Sequence, residues 1–425
     1  MDAQQHRPVS RTVYFLHERL AKRRRDRYLI NLARAYHQLG FRVTFYTSSY
    51  NRAEDLDDTK FLDRVKIKHS GWWIPKSLFG LCRRPFAVLR SICMACKVIL
   101  NPPKETSVIV LDISTVALYL LHLFTRHKLF YVESFEEIPD VCEHTVYSPS
   151  LLEAKFIKLA DEILVETAMF ADLLKKSFPA LGKEPTVLYP AVDVGLWDSQ
   201  VIQIERIIPD LLENTILFLS VGKFNRSSNF RLALDAFELL LQMLDDSQVT
   251  KRFQLVIAGN CRTLNEKLYY NEMVALAKDR LCASQVSILK QLPVVHEKTL
   301  LTESAVVIHP SKADMQADFL LKAMSLGKPI VATNKGIAPR ILQNKFTGIM
   351  TEPDPTAMAQ VLKKLMRSPH LQSFLGELAR DGFQKNYSYQ RFCDRVVELM
   401  MPKATALKYT KSEKSLINDG VNKSN

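Results

Sequence analysis

The sequence lacks most of what a spanning, secreted or metal-held protein would carry. No stretch reaches the roughly 18 uncharged apolar residues of a spanning helix. Met1 to Arg11 is polar, without the apolar core of a signal peptide. The expectation is a chain on the cytosolic side, at most on a membrane surface. The seven cysteines are scattered and odd in number, which argues against a disulfide framework and for buried thiols in a reducing compartment. Cys93 and Cys96 form a C-x2-C, but one pair inside an apolar helical run reads as packing before it reads as half of a zinc site. Without translocation, the sequons at Asn225, Asn386 and Asn422 are chance matches.

Acidic residues are also in deficit: 45 Asp and Glu against 58 Lys and Arg, a formal charge of +13. That balance suits an anionic partner, whether nucleic acid, an anionic membrane or a phosphorylated ligand. No aromatic-basic recognition module is present, so nucleic acid is not expected as a partner. With 47% apolar and 24% charged residues the chain is globular, and 425 residues suit two domains plus a tail.

The first half alternates strand and helix patterns. Val13 to His17 reads as a buried strand, Leu29, Leu32, Tyr36 and Leu39 follow helical spacing up to Gly40, and Phe41 to Thr47 alternates as a strand. Further short apolar strands are read at Val108 to Leu111, Leu129 to Val132 and Ile163 to Val165. After a weakly patterned connector, Gly195 to Asn214, a second series begins with strands at Ile216 to Val221, Phe253 to Ala258, Ala305 to His309 and Pro329 to Thr333. The predicted division is an N-terminal Rossmann-like domain over 1–200, a C-terminal Rossmann-like domain over 201–385, a crossover helix over 386–402 and a disordered basic tail over 403–425. Ligands of such α/β sheets bind outside the carboxyl ends of the strands, which places a site in the cleft between the halves.

Four segments carry a resemblance. Leu219-Ser220-Val221-Gly222-Lys223-Phe224-Asn225-Arg226-Ser227-Ser228-Asn229 resembles an L-S-x-x-R-x-x-x-K-N element. Pro310 to Asp314, continuing to Lys322-Ala323-Met324, resembles an E-x7-E element. Gly327 to Gly336 resembles a P-V-I-A-x-N-x-G strand and loop, and Thr347-Gly348 with Glu352-Pro353-Asp354-Pro355 resembles a T-G-x-x-x-x-P-D-P stretch. Together they resemble glycosyltransferase family 4. Within it, Ser70 to Lys76 and Leu188 to Asp193 point to the dolichol-pathway α-1,3/1,6-mannosyltransferases, with a likeness from Val13 to about Met400.

The resemblance implies a GT-B fold and a retaining transferase. It would move mannose from GDP-mannose, the donor substrate, to a dolichol-linked oligosaccharide on the cytosolic face of the endoplasmic reticulum, with other dolichol-pathway transferases as possible neighbours. Neither cofactor nor metal is expected, because cations and helix N–H groups stabilise the leaving diphosphate. Lys223 falls on the first donor-site cation and Ser228 replaces the second, with Arg226 beside it. Asp314 falls on the first glutamate, near the transferred sugar. Lys322 falls on the ribose-binding glutamate; it has only donors and suits a phosphate better than a diol. Backbone N–H groups around Asp318 and Phe319 would face the phosphates, and Gly336 lies in the adjoining loop.

The first domain departs most. Where the family has a Gly-rich loop, this chain has Ala21-Lys22-Arg23-Arg24-Arg25-Asp26-Arg27, whose cations Arg23, Arg24 and Arg25 would still attract a diphosphate. Glu133 replaces a histidine, and with Glu136 and Glu137 it reads either as a solvated loop or as a polar rim to the acceptor site. Phe86 to Leu100, with Arg83 and Arg84 before it and Trp72 and Trp73 upstream, suits interfacial burial; Trp72, Trp73, Phe86 and Leu89 are the expected membrane contacts. The other reading of that segment is a core helix. Two functions stay open here: the transferase, and a non-catalytic descendant that binds a lipid, a sugar nucleotide or a partner transferase.

Overall fold

The computed structural model describes residues 12–21, 24–50, 59–77, 83–102, 107–133, 149–192, 201–244 and 252–400. The tail from 403, Arg23, Glu136, Glu137 and all of 193–200, which includes the start of the connector, lie outside the described residues.

The strands, in chain order, are β1 (Thr12–His17), β2 (Arg19–Leu20), β3 (Arg42–Thr47), β4 (Ser49–Tyr50), β5 (Lys66–His69), β6 (Val108–Asp112), β7 (Lys128–Glu133), β8 (Glu162–Val165), β9 (Thr186–Val187), β10 (Thr215–Val221), β11 (Arg252–Gly259), β12 (Val286–Lys290), β13 (Val306–His309), β14 (Ile330–Thr333) and β15 (Ile349–Thr351). They form two large sheets, β5-β3-β1-β6-β7-β8-β9 and β12-β11-β10-β13-β14-β15, with β2 and β4 paired apart. Every pairing between these strands is parallel. Each order turns back at one point, between β1 and β6 in the first sheet and between β10 and β13 in the second. Those are the topological switch points where a doubly wound sheet opens a crevice for ligand.

Period-2 alternation explains why each sheet is buried on both sides. Tyr14 and Leu16 of β1 join the core on one face of the first sheet. Val13 and Phe15 join the core on the other face. In the second sheet Phe218 of β10 faces one core and Leu217 and Leu219 the other. Helices cover all four faces, as parallel sheets require. The ends of β10 and β11 nearly touch: Gly222 N–H donates to Ala258 O at 3.1 Å. A Cβ at Gly259 would stand 2.0 Å from the Gly222 carbonyl oxygen, so only glycine permits this approach.

The chain returns at its end. After the helix Pro369–Tyr387, the helix Tyr389–Met400 packs Phe392, Cys393 and Val396 into the core of the first domain. Phe392 meets Tyr28 edge-on at 6.3 Å between ring centroids. Burying side chains such as Phe392 and Val396 stabilises by about 1.5–3 kcal/mol each, which fixes this helix to the first domain.

The apolar helix of the sequence reading spans Arg83–Leu100, and its two readings divide along its length. Met94, Ala95 and Val98 are fully buried core, whereas Phe86 is half-buried and Leu89 is exposed. Arg90, which interrupts the apolar run, is buried because it donates to Glu18 Oε1 at 2.9 Å and to Pro75 O at 2.7 Å.

Candidate active site in the interdomain cleft

The second domain contributes three loops at the carboxyl edge of its sheet. After β10, the loop from Gly222 is closed by Asn225, whose Oδ1 accepts from Ser227 Oγ at 2.9 Å, Ser228 N at 3.0 Å and Ser228 Oγ at 2.9 Å. Asn229 caps the next helix in a left-handed conformation, φ 52°, and its amide donates to Pro310 O at 3.2 Å. The loop after β13 is tied to the same segment: Ser311 Oγ donates to Ser227 O at 3.0 Å, and Lys312 N to Ser227 O at 2.8 Å. These two loops flank the switch point.

Asp314 sits where they converge. Its backbone N–H donates to Ser311 Oγ at 2.7 Å, and its carbonyl accepts from Ile337 N at 2.8 Å. Its carboxylate accepts from Gln316 N at 2.9 Å, which orients the side chain over the following loop. Gly336, φ 62°, lies against it, and any Cβ there would strike the Asp314 backbone at 2.8–2.9 Å. The helix Asp318–Ser325 then begins with no side-chain cap, leaving first-turn N–H groups available to an anion. Asp318 and Phe319 open that helix and are half-buried.

The first domain contributes a charge network. His17, at the end of β1, is buried between Asp26 (Nε2 to Oδ1, 2.7 Å) and Asp112 (Nδ1 to Oδ2, 2.9 Å). Asp26 also accepts from Ala21 N at 3.0 Å, fixing the turn into the helix Arg24–Gln38. Arg25 donates to the Asp112 carbonyl at 2.9 Å and to its carboxylate. Arg24 pairs with buried Glu166, just past β8, and stands 3.7 Å from Asp318 across the cleft. Arg24 and Arg25, two of the cations that replace a Gly-rich loop, are thus held by carboxylates, and Arg24 links the domains. Two more contacts span the gap: Thr167 Oγ1 donates to Met315 O at 3.0 Å, and Arg340 pairs with Asp172 at 2.9 Å.

The remaining candidates divide. Lys223 is exposed just beyond β10, in no ion pair among the described residues. Arg226 is turned to the domain's own surface, donating to both Glu272 oxygens at 3.0 and 2.6 Å and lying over the Tyr269 ring at 5.4 Å. Lys322 is engaged by Glu297, at 3.0 and 2.8 Å to the two carboxylate oxygens. Glu133 is buried, so the solvated-loop reading does not hold for it. Burial and the nearby Glu153 push its carboxyl up to about 7, against the opposing pull of Arg25 and a hydrogen bond from Tyr131.

Trp72 and Trp73 are 71% and 66% exposed, and the indole of Trp72 edges a cavity of about 310 Å³ shared with Ser48, His69, Lys76 and Arg90. No described helix is long and apolar enough to cross a membrane.

Several of these residues were invisible to motif reasoning. His17 read only as the last residue of an apolar strand, and Asp26 as part of a basic run. Asp112, Glu166 and Glu297 stood in no motif. The one available signal was position: His17, Asp112 and Glu166 each end or follow an apolar strand at the ligand-binding edge.

Two Rossmann-like halves that meet over a cleft, with an acidic residue clamped at the switch point, are the architecture of the GT-B fold. Residues 202–382 match the family "Glycosyl transferases group 1". Over most of its length the chain is similar to α-1,3/1,6-mannosyltransferases. It is 26% identical to α-1,3/1,6-mannosyltransferase ALG2 of Homo sapiens, covering 91% of this chain and 94% of that protein. It is 24% identical to ALG2 of Rhizomucor pusillus, covering 93% of each. The fold is shared with a glycosyltransferase from Rickettsia africae ESF-5 at 15% identity and a TM-score of 0.69, covering 92% of this chain and 98% of that one. Anabaena Alr3699/HepE, solved with UDP and glucose, matches at 16% identity and a TM-score of 0.64, covering 92% and 99%.

Proposed function

We propose that this chain transfers mannose, with retention, from GDP-mannose to a dolichol-diphosphate-linked oligosaccharide at the cytosolic face of the endoplasmic reticulum membrane. The observation that carries the reading is the clamped Asp314, between the open N-terminus of the helix Asp318–Ser325 and the loop that bears Lys223. In this proposal the donor diphosphate lies against that helix N-terminus and Lys223, and the sugar is carried toward Asp314. As the glycosidic bond breaks, the diphosphate gains negative charge. A fixed ammonium and oriented N–H groups stabilise it without reorganising, which is the differential binding that lowers a barrier.

The acceptor belongs to the first domain. Exposed Trp72 and Trp73 suit the interface of a bilayer, and the exposed Lys76 near them suits a phosphorylated head group. Attachment is therefore proposed as peripheral. Incubating the purified chain with GDP-[14C]mannose and a lipid-linked oligosaccharide acceptor tests the reading. Transfer of label to the lipid phase, lost in Asp314→Asn, is expected. Absence of transfer by a folded, GDP-binding protein would overturn it.

A further inference from the structure

We propose that Glu297, held by Lys322, is the carboxylate that binds the ribose hydroxyls of the donor nucleotide. The inference rests on the donor reading above and adds a residue that stands in none of the sequence motifs. Glu297 lies in the first turn or so of the helix Val294–Glu303, which follows β12 and therefore starts at the carboxyl edge of the sheet. Lys322 is four residues beyond Asp318 on its helix, so the two share a face. Asp318 faces Arg24 of the opposite domain, and the face that bears Lys322 therefore borders the cleft.

The chemistry fits a vicinal diol. Two hydroxyl donors need an ionised acceptor with two oxygens; an ammonium offers only donors. Lys322 Nζ reaches both Glu297 oxygens, at 3.0 and 2.8 Å, and each oxygen keeps acceptor capacity on its other side. The two side chains are 14% and 17% exposed, sheltered enough to be ordered yet open to a ligand. Among the other described carboxylates of the cleft, Asp112 and Asp26 are held by His17, Glu166 and Asp318 by Arg24, and Asp314 by Gln316 N. A carboxylate on the ribose is the ordinary arrangement in Rossmann-like nucleotide sites.

Calorimetry on the full chain with GDP and with 2′,3′-dideoxy-GDP tests the proposal. The parent should bind GDP about 10- to 100-fold more tightly than the dideoxy analogue, the loss expected when hydrogen bonds to a charged acceptor disappear. Glu297→Gln should erase most of that difference and leave dideoxy-GDP affinity roughly unchanged. The exchanged pair Glu297→Lys/Lys322→Glu keeps one carboxylate and one ammonium in place and should retain discrimination, so a single variant that fails to fold does not end the test. Equal loss for both nucleotides in Glu297→Gln, or no preference in the parent, makes the pair a structural brace and overturns the inference while leaving the donor reading intact. A parent that binds neither nucleotide overturns the donor reading itself.

Discussion

Gly336 and Asp314 are in backbone contact. A Cβ at Gly336 would stand 2.8 Å from the Asp314 carbonyl oxygen and 2.9 Å from its amide nitrogen, and the glycine itself is left-handed at φ 62°. Gly336→Ala therefore meets two penalties: roughly 1–2 kcal/mol for the left-handed backbone, and a steric push on the residue that the site depends on. Misplacing a reacting group by about 1 Å costs on the order of 100-fold in rate. The variant should melt lower and lose transfer activity far beyond its loss of stability. Wild-type turnover in Gly336→Ala would mean that Asp314 does not need its present position.

Lys223→Ala removes the exposed ammonium beside the diphosphate position. Losing one charge-stabilising contact of this kind costs about 2.7–4 kcal/mol, or roughly 100- to 1000-fold in kcat. Melting temperature should barely move, because the side chain is exposed and pairs with no carboxylate among the described residues. An unaltered rate would remove Lys223 from the donor site.

Lys322→Glu puts a second carboxylate against Glu297, at the place where an ammonium now sits 2.8–3.0 Å from both oxygens. Two carboxylates so close cannot both ionise freely, so one carboxyl pKa rises. Losing the pair should cost about 1–3 kcal/mol. Thermal melts at neutral pH should show the loss, with recovery in the exchanged double variant. A single variant as stable as the parent would mean that the pair contributes nothing to the fold.

Glu133 makes stability depend on pH. Its carboxyl is pushed from 4.5 to about 7 in the folded chain, first by burial and then by Glu153. Between those values the folded state keeps a proton that the unfolded state releases, so stability falls as pH rises through that window. The loss is roughly 3 kcal/mol when complete. Glu133→Gln should flatten the melting temperature between about pH 4 and pH 8. The same slope in parent and variant would assign the dependence to another group.

Trp72 and Trp73 should anchor the first domain at a bilayer. Liposome flotation with anionic vesicles is the measurement, and replacing both with Ser should reduce the bound fraction while the fold stays intact. Adding Leu89→Ser, at the exposed part of the helix Arg83–Leu100, should reduce it further. Unchanged flotation of a folded triple variant would move the membrane contact elsewhere.

The sequence by itself determined the architecture. Buried runs such as Val13 to His17 and Phe253 to Ala258 are parallel strands because both faces of each are apolar, and the structure extends them by no more than a residue or so at either end. It also marked Lys223 and Asp314, because motif spacing fixes which residues stand just past a strand. Only tertiary structure decided what the substituted positions do. Arg226 carries the charge of a donor-site cation and Lys322 reverses the charge of the glutamate it replaces, yet one is turned onto Glu272 and the other onto Glu297. Arg24 and Arg25, alike in sequence, are divided between Glu166 and Asp112. The physical reason is range. Strand and helix patterns are set by neighbours along the chain, whereas a long charged side chain is claimed by whichever carboxylate folding brings within about 4 Å, and that partner can lie anywhere in the sequence.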